Sequence, residues 1–227
     1  MMNGAGGVCM KTKRQAEQIV SLLEAEYPDA RCSLDYGKDY EFLFAVRLSA
    51  QCTDARVNLV TPALFAAFPT LEAFADADRE KLESLIRSCG FFRSKAGDII
   101  SCARVLLEKH GGRVPGTMEE LLELPGVGRK TANLILGDVF NAPGSITVDT
   151  HCIRLSNRIG FVDGEKDPVK IESMLRKVIP PERSNDFCHR LVMHGRAVCK
   201  ASSPACGNCC LNGCCRHAAE RIQKSNK

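Results

Sequence analysis

The segment 124–132, LPGVGRKTA, sets a lysine just behind two glycines that bracket Val127, where an apolar helical run begins. Glycine at 126 and 128 permits positive φ and the close approach of another backbone. The amides of such a turn, and of the helix after it, point outward as an electropositive nest for a phosphodiester oxygen. That grip is indifferent to base sequence. Pro125, Gly126, Val127, Gly128 and Arg129 are therefore candidates for contact with a nucleic-acid backbone, against the plainer reading of an interhelical turn. Lys130 has two possible chemistries. It can neutralise a phosphate, or it can attack a sugar C1′ and form a Schiff base as the base departs. The positive end of the helix dipole and the neighbouring Arg129 disfavour an ammonium there and favour the nucleophilic amine, and partial burial would act in the same direction. Hairpin position alone leaves both roles open.

A carboxylate follows at Asp149. Near an attacked sugar carbon it can stabilise an oxocarbenium-like state and shuttle protons around the lysine. Its simpler role is to cap a helix beginning at Thr150.

A third cluster is rich in sulfur. Of 13 cysteines, six fall between Cys199 and Cys215. Without a secretion signal, disulfides are disfavoured and metal binding gains weight. Cys199, Cys206, Cys209 and Cys215 are separated by six, two and five residues, with Cys210 and Cys214 as rival ligands. Four thiolates on a short loop hold either tetrahedral zinc or a [4Fe–4S] cluster. Zinc usually takes two C-x₂-C knuckles and only 206/209 is one, which favours the cluster. The other seven cysteines (9, 32, 52, 89, 102, 152, 188) are scattered singly and read mostly as inert core thiols.

The elements that must position these groups read as helices throughout. Helical periodicity runs over 15–27, 40–48, 71–87, 95–110, 118–124, 130–140, 150–159, 168–178 and 185–199, with Gly, Pro, Asp or Ser at the breaks. Sustained period-two alternation is absent, so the expected fold is all-α. Asp149 sits at a helix N-cap position, and Asp167-Pro168 pairs a cap with proline at the first helical position. Ala132, Ile135, Leu136, Val139 and Phe140 offer a buried stripe behind Lys130. The loop 141–147 is the best lobe boundary.

Composition limits the partners. The net charge is +4, but from Arg183 onward eight lysines and arginines oppose only Asp186 and Glu220, so this segment holds about +6. That basic surface suits a polyanion, or is a solvated tail. No apolar run is long enough to span a membrane. The amino terminus has no apolar signal core ahead of its charges, so the expected location is cytoplasmic, with the nucleoid if prokaryotic.

LPGVGRKTANLIL followed by ITVDTHCIRLSNRIG resembles the endonuclease III family of DNA base-excision glycosylases, members of the helix-hairpin-helix superfamily. LSAQCTD (48–54), GFFRSKA (90–96), LLEKHGG (106–112), LVMHGRAVC (191–199) and the cysteine loop resemble family segments in the same order, from about 15 to 216. The resemblance implies that Lys130 is the Schiff-base nucleophile and Asp149 the catalytic carboxylate. It implies removal of oxidised pyrimidines from damaged double-stranded DNA, then β-elimination at the abasic site. Gln51 would fill the gap left by the flipped nucleotide and Phe91 would wedge into the stack, where many bacterial members carry Leu; core packing is the alternative for Phe91. Asp54 would line the pocket. The family's loop spacing selects Cys199, Cys206, Cys209 and Cys215 for a [4Fe–4S] cluster of architectural role, with Lys200 and Arg216 reaching phosphates. The implied architecture is two helical lobes in a monomer. Residues 32–142 would form a six-helix barrel with the hairpin, and residues 1–31 and 143–227 the cluster lobe. Lys130 and Asp149 would face each other across a DNA cleft.

Two other functions compete. A monofunctional adenine or mismatch glycosylase would share the cluster, but it would lack a lysine at 130. It would also carry a glutamate in the helix that here reads FLFAVRLSAQCTD, and it would need room for an added recognition domain. A hairpin module that only grips DNA would lose binding, in a salt-dependent way, on loss of Lys130.

Overall fold

In the computed structural model, residues 10–225 are described, excluding the side chains of 224 and 225; Cys9 and Lys227 lie outside them. Among the described residues there are twelve α-helices and no strand. No helix among them is long and apolar enough to cross a membrane. The chain divides into two compact units, residues 1–31 with 142–227, and residues 32–141.

The 32–141 unit holds seven helices: α2 (Asp39–Ser49), α3 (Asp54–Ala67), α4 (Leu71–Ala75), α5 (Arg79–Ile86), α6 (Phe92–His110), α7 (Met118–Leu122) and α8 (Arg129–Asp138). Helix α6 packs against α4, α5 and α2, and α2 also packs against α3 and α8. Phe44 and Phe74 meet edge-on with ring centroids 4.9 Å apart, and Phe68 lies 5.3 Å from Phe74. These rings pack into an apolar centre with Phe42, Leu43, Leu48, Leu64 and Leu82, in a chain without tryptophan.

Three elements depart from the sequence pattern. The 71–87 stretch splits because Asp78 turns its carboxylate to the Lys81 amide (2.7 Å) and starts a new helix, α5. Helix α3 was not expected: it contains Pro62, its apolar residues spread around the axis, and only Val57, Thr61 and Leu64 are buried. The last helix, α12 (Arg216–Ser225), was not expected either: its apolar residues are only Ala218, Ala219 and Ile222, of which Ala218 is buried.

The other unit is built from α1 (Lys13–Glu26), α9 (Thr150–Ile159), α10 (Pro168–Arg176), α11 (Ser184–Ala197) and α12. Ile19, Val20 and Leu23 of α1 bury against Cys152, Leu155 and Ile159 of α9 and Phe187 and Leu191 of α11. Two caps agree with the sequence. Asp149 accepts from the Cys152 amide at 2.7 Å, and Asp167 accepts from Val169 at 2.8 Å with Pro168 opening α10. Each such cap contributes about 1 kcal/mol. Of the scattered cysteines, 89, 102, 152 and 188 are buried and 32 and 52 partly so. Burial pushes the thiols of Cys102 and Cys152 up to about 12, which keeps them protonated and inert.

Candidate active site

In the 32–141 unit, α7, the turn 123–128 and α8 form the expected helix–turn–helix. The two glycines serve different ends. Gly126 has φ of 76°, and a Cβ there would lie 2.9 Å from both Arg47 Nε and Asp98 Cβ, so both conformation and space require glycine. Gly128 is extended at φ −102°, and a Cβ on it would meet nothing within 4 Å. Glycine permits positive φ at both positions, and of the two only Gly126 adopts it. Its open surroundings leave room for an approaching backbone instead.

Underneath, Arg47 of α2 donates through Nε and Nη2 to Asp98 Oδ2 of α6, at 2.8 and 2.6 Å. This pair was not singled out from the sequence, and it fixes the floor on which the turn rests. Pro125 and Val127 lie half-buried, lining one small pocket with Leu43, Arg47 and Asp98. The first helical hydrogen bond of α8 runs from Ala132 N–H to Gly128 O at 2.9 Å. Gly128, at the N-cap, gives the first amides of α8 no side-chain cap, while within the turn the Val127 amide donates to Leu124 O at 3.1 Å. Lys130 and Arg129 stand exposed on the first turn, so the burial considered for Lys130 is not found. Behind them Ala132, Ile135 and Leu136 are buried, whereas Val139 is half-buried and Phe140, past the end of α8, is 39% exposed.

The same unit carries the other three residues read from the sequence. Gln51 is exposed, with left-handed backbone at φ 54°, and Phe91 is 67% exposed at φ 47°. Core packing is therefore excluded for Phe91. Asp54 opens α3, half-buried, with Oδ2 accepting from Ser33 Oγ at 2.6 Å.

In the other unit Asp149 is half-buried at the head of α9, where the helix terminus favours negative charge. Next to it, His151 lies 3.1 Å through Nδ1 from Arg154 Nη2. Burial lowers the His151 pKa, Asp149 opposes that shift, and Arg154 and Arg196 add to it. The packing is tight enough that Gly195 could carry no side chain: a Cβ there would fall 2.4 Å from His151 Nδ1.

Cys199, Cys206, Cys209 and Cys215 line one pocket with Leu155, Ile159, Val198, Leu211 and Ala218, and neither Cys210 nor Cys214 lines it. The Cys214 thiol points to Leu211 O, 3.4 Å away. N–H donors approach three of the four lining sulfurs. Arg158 Nη1 reaches Cys199 Sγ at 3.4 Å, Arg221 Nη1 reaches Cys206 Sγ at 3.9 Å, and the Leu211 amide reaches Cys209 Sγ at 3.4 Å. His194 Nε2 also lies 3.3 Å from Cys209 Sγ, while its Nδ1 meets Tyr27 Oη at 3.0 Å. The Cys209 thiol is pushed down to about 4, chiefly by its hydrogen bond with Cys210 and further by those from His194 and Leu211, against burial. Donors aimed at thiolate sulfurs fit the demands of a thiolate-ligated metal group. Among the described residues, no three His, Cys, Asp or Glu side chains gather closely enough to hold a single metal ion.

Two arginines on α9 brace this loop and were not singled out from the sequence. Arg154 donates to Gly195 O and Cys199 O, and Arg158 to Lys200 O (2.7 Å) and Ala201 O (2.6 Å). Their i, i+4 spacing beside the Asp149 cap was the available signal. Lys200, next in sequence to Cys199, is exposed. Arg216, expected to reach phosphate, is turned inward instead: Nη2 donates to Asn157 O and Val162 O and Nη1 pairs with Asp163 at 3.0 Å.

Residues 44–181 match the HhH-GPD superfamily of base excision DNA repair proteins. The chain is 48% identical over 206 residues to endonuclease III of Synechocystis sp., covering 91% of this chain and 94% of that one. It is 44% identical over 207 residues to endonuclease III of Haemophilus influenzae, covering 91% and 96%. A trapped covalent intermediate of endonuclease III with DNA superposes with a TM-score of 0.87 at 42% identity, over 94% of this chain and all of the other. The chain therefore belongs to the HhH-GPD superfamily of base excision DNA repair proteins and, within it, to the endonuclease III family.

Proposed function

We propose that the chain is a bifunctional DNA glycosylase and abasic-site lyase for oxidised pyrimidines, with Lys130 as nucleophile and Asp149 as the catalytic carboxylate. The observation that carries the reading is the exposed amine of Lys130 on the first turn of α8, beside a glycine turn held by Arg47 and Asp98. In a family whose member is trapped covalently on DNA, that amine is the natural attacking group. Its Nζ bonds to C1′ as the glycosidic bond breaks, and the base leaves with its electron pair and takes up a proton. The sugar ring then opens, the amine loses its proton, and an iminium joins Lys130 to C1′. Loss of a C2′ proton expels the 3′ phosphate, and water releases the lysine. Asp149 supports the positive charge of the first step and carries protons in the later ones.

The amides of Gly126, Gly128 and Arg129 hold a phosphate without reading sequence, packed on Pro125 and Val127, whose own amide is used inside the turn. Gln51 and Phe91 occupy the space opened when the nucleotide leaves the stack, and Lys200 adds charge at the backbone. Asp54 lines the base pocket. Cys199, Cys206, Cys209 and Cys215 fit a [4Fe–4S] cluster, which supplies a fixed scaffold for the loop. The protein acts as a monomer on duplex DNA, in the compartment that holds it.

The test is a duplex with one oxidised pyrimidine. The expected products are free base and a strand cut on the 3′ side ending in an unsaturated aldehyde. Release of free base with an uncut strand would contradict the lyase half of the reading.

A further inference from the structure

Three non-glycine residues among those described have positive φ: Gln51, Phe91 and Asn141. Left-handed backbone is strained for such residues and persists only where the surroundings over-determine it. Two of the three are the exposed residues assigned above to the opened DNA stack. One buried group lies behind both. Lys95, in the first turn of α6 and 1% exposed, donates from Nζ to Leu48 O at 2.8 Å and to Cys89 O at 2.9 Å. Leu48 belongs to the last turn of α2, and Cys89 closes the 3₁₀ turn Arg87–Cys89.

Both carbonyls thus sit at helix C-termini, where the helix itself provides no donor and a cation is welcome. Just beyond each of these ends comes a left-handed residue: Gln51 after α2, Phe91 after the 3₁₀ turn. Burial acts against the ammonium and lowers its pKa. Keeping a lysine there is costly unless its donors are used, and two helix ends use them. A lysine serving only the core is replaceable by an apolar side chain; one tying two strained loops is not.

We propose that Lys95 is a positioning residue that locks the Gln51 and Phe91 loops into one rigid unit, so that amide and ring enter the DNA stack together. This rests on the function proposed above, in which those two residues take the place of the extruded nucleotide.

The test compares Schiff-base trapping by borohydride on the same abasic-site oligonucleotide, single-stranded and in duplex. Only the duplex requires a stack to be opened. Lys95→Met is expected to lower the duplex rate at least tenfold and to change the single-strand rate less than twofold. A double-mutant cycle adds a second readout. Phe91→Ala and Gln51→Ala should be strongly coupled in the wild-type background and additive with Lys95→Met. Equal losses on both substrates, no loss on either, or coupling that survives Lys95→Met overturns the proposal. Should Lys95→Met not fold, Lys95→Arg, which keeps the charge and donors but not the fit, decides. It should lose about threefold on duplex alone, and any other pattern overturns the proposal. Failure of the wild type to trap, or trapping by Lys130→Gln, would instead contradict the catalytic reading.

Discussion

The guanidinium of Arg47 and the carboxylate of Asp98 meet at 2.6 Å in the space that a side chain on Gly126 would need. The pair joins α2 to α6 and sets the height of the hairpin turn that precedes Lys130. With both side chains about a quarter exposed, solvent screens the pair, and its importance lies in geometry more than in stability.

Gly126→Ala should therefore cost about 1–3 kcal/mol, from left-handed strain and from contact with Arg47 and Asp98. Gly128→Ala, extended and open, should stay within about 0.5 kcal/mol of wild type yet weaken DNA binding, because the methyl occupies the phosphate's approach. Denaturant unfolding and DNA titration at one salt concentration measure the two effects. Equal destabilisation by both would count against different roles for the glycines.

Asp149 both caps α9 and, in the proposed mechanism, serves the sugar. Asparagine keeps the cap and removes the charge. Asp149→Asn should leave stability nearly unchanged while base release falls at least a hundredfold; Asp149→Ala should lose about 1 kcal/mol as well. Unfolding curves and single-turnover rates separate the two.

His151 gives the stability a pH dependence of known sign. Its folded pKa lies below the ordinary value of 6.5, chiefly through burial, so the unfolded chain takes up the proton first as pH falls. The contribution is full above about 6.5 and is lost as pH falls toward the folded value. Thermal midpoints at pH 7.5 and 5.5 should drop further for wild type than for His151→Asn. Equal drops would show that His151 does not titrate differently in the two states.

The pocket lining divides the six clustered cysteines. Serine at 199, 206, 209 or 215 should reduce bound iron and the brown colour of concentrated protein, whereas Cys214→Ser should leave both near wild type. Iron analysis and visible absorption check this. Zinc in place of iron would contradict the cluster assignment.

Much of this was legible in the sequence because it rests on local chemistry. The glycine turn, the Asp149 and Asp167 caps and the cysteine spacing each act over a few residues. What escaped depends on partners distant in sequence. Arg47 and Asp98 stand 51 positions apart and neither shows in sequence that it pairs with the other, and Lys95, in FRSKA, gives no sign that it is buried on two carbonyls. Arg216 counted toward a basic face until Asp163 and the Asn157 carbonyl turned it inward. Helix α3 was hidden by Pro62 and by an exposed Leu59, which blur the stripe that a half-buried helix usually shows.

The central claim is that Lys130 becomes covalently joined to DNA. Protein incubated with an abasic-site duplex and borohydride, then digested and mapped by mass spectrometry, should carry the reduced sugar on the peptide containing Lys130, and Lys130→Gln should give no adduct. An adduct on another lysine, or one undiminished in Lys130→Gln, would contradict the account.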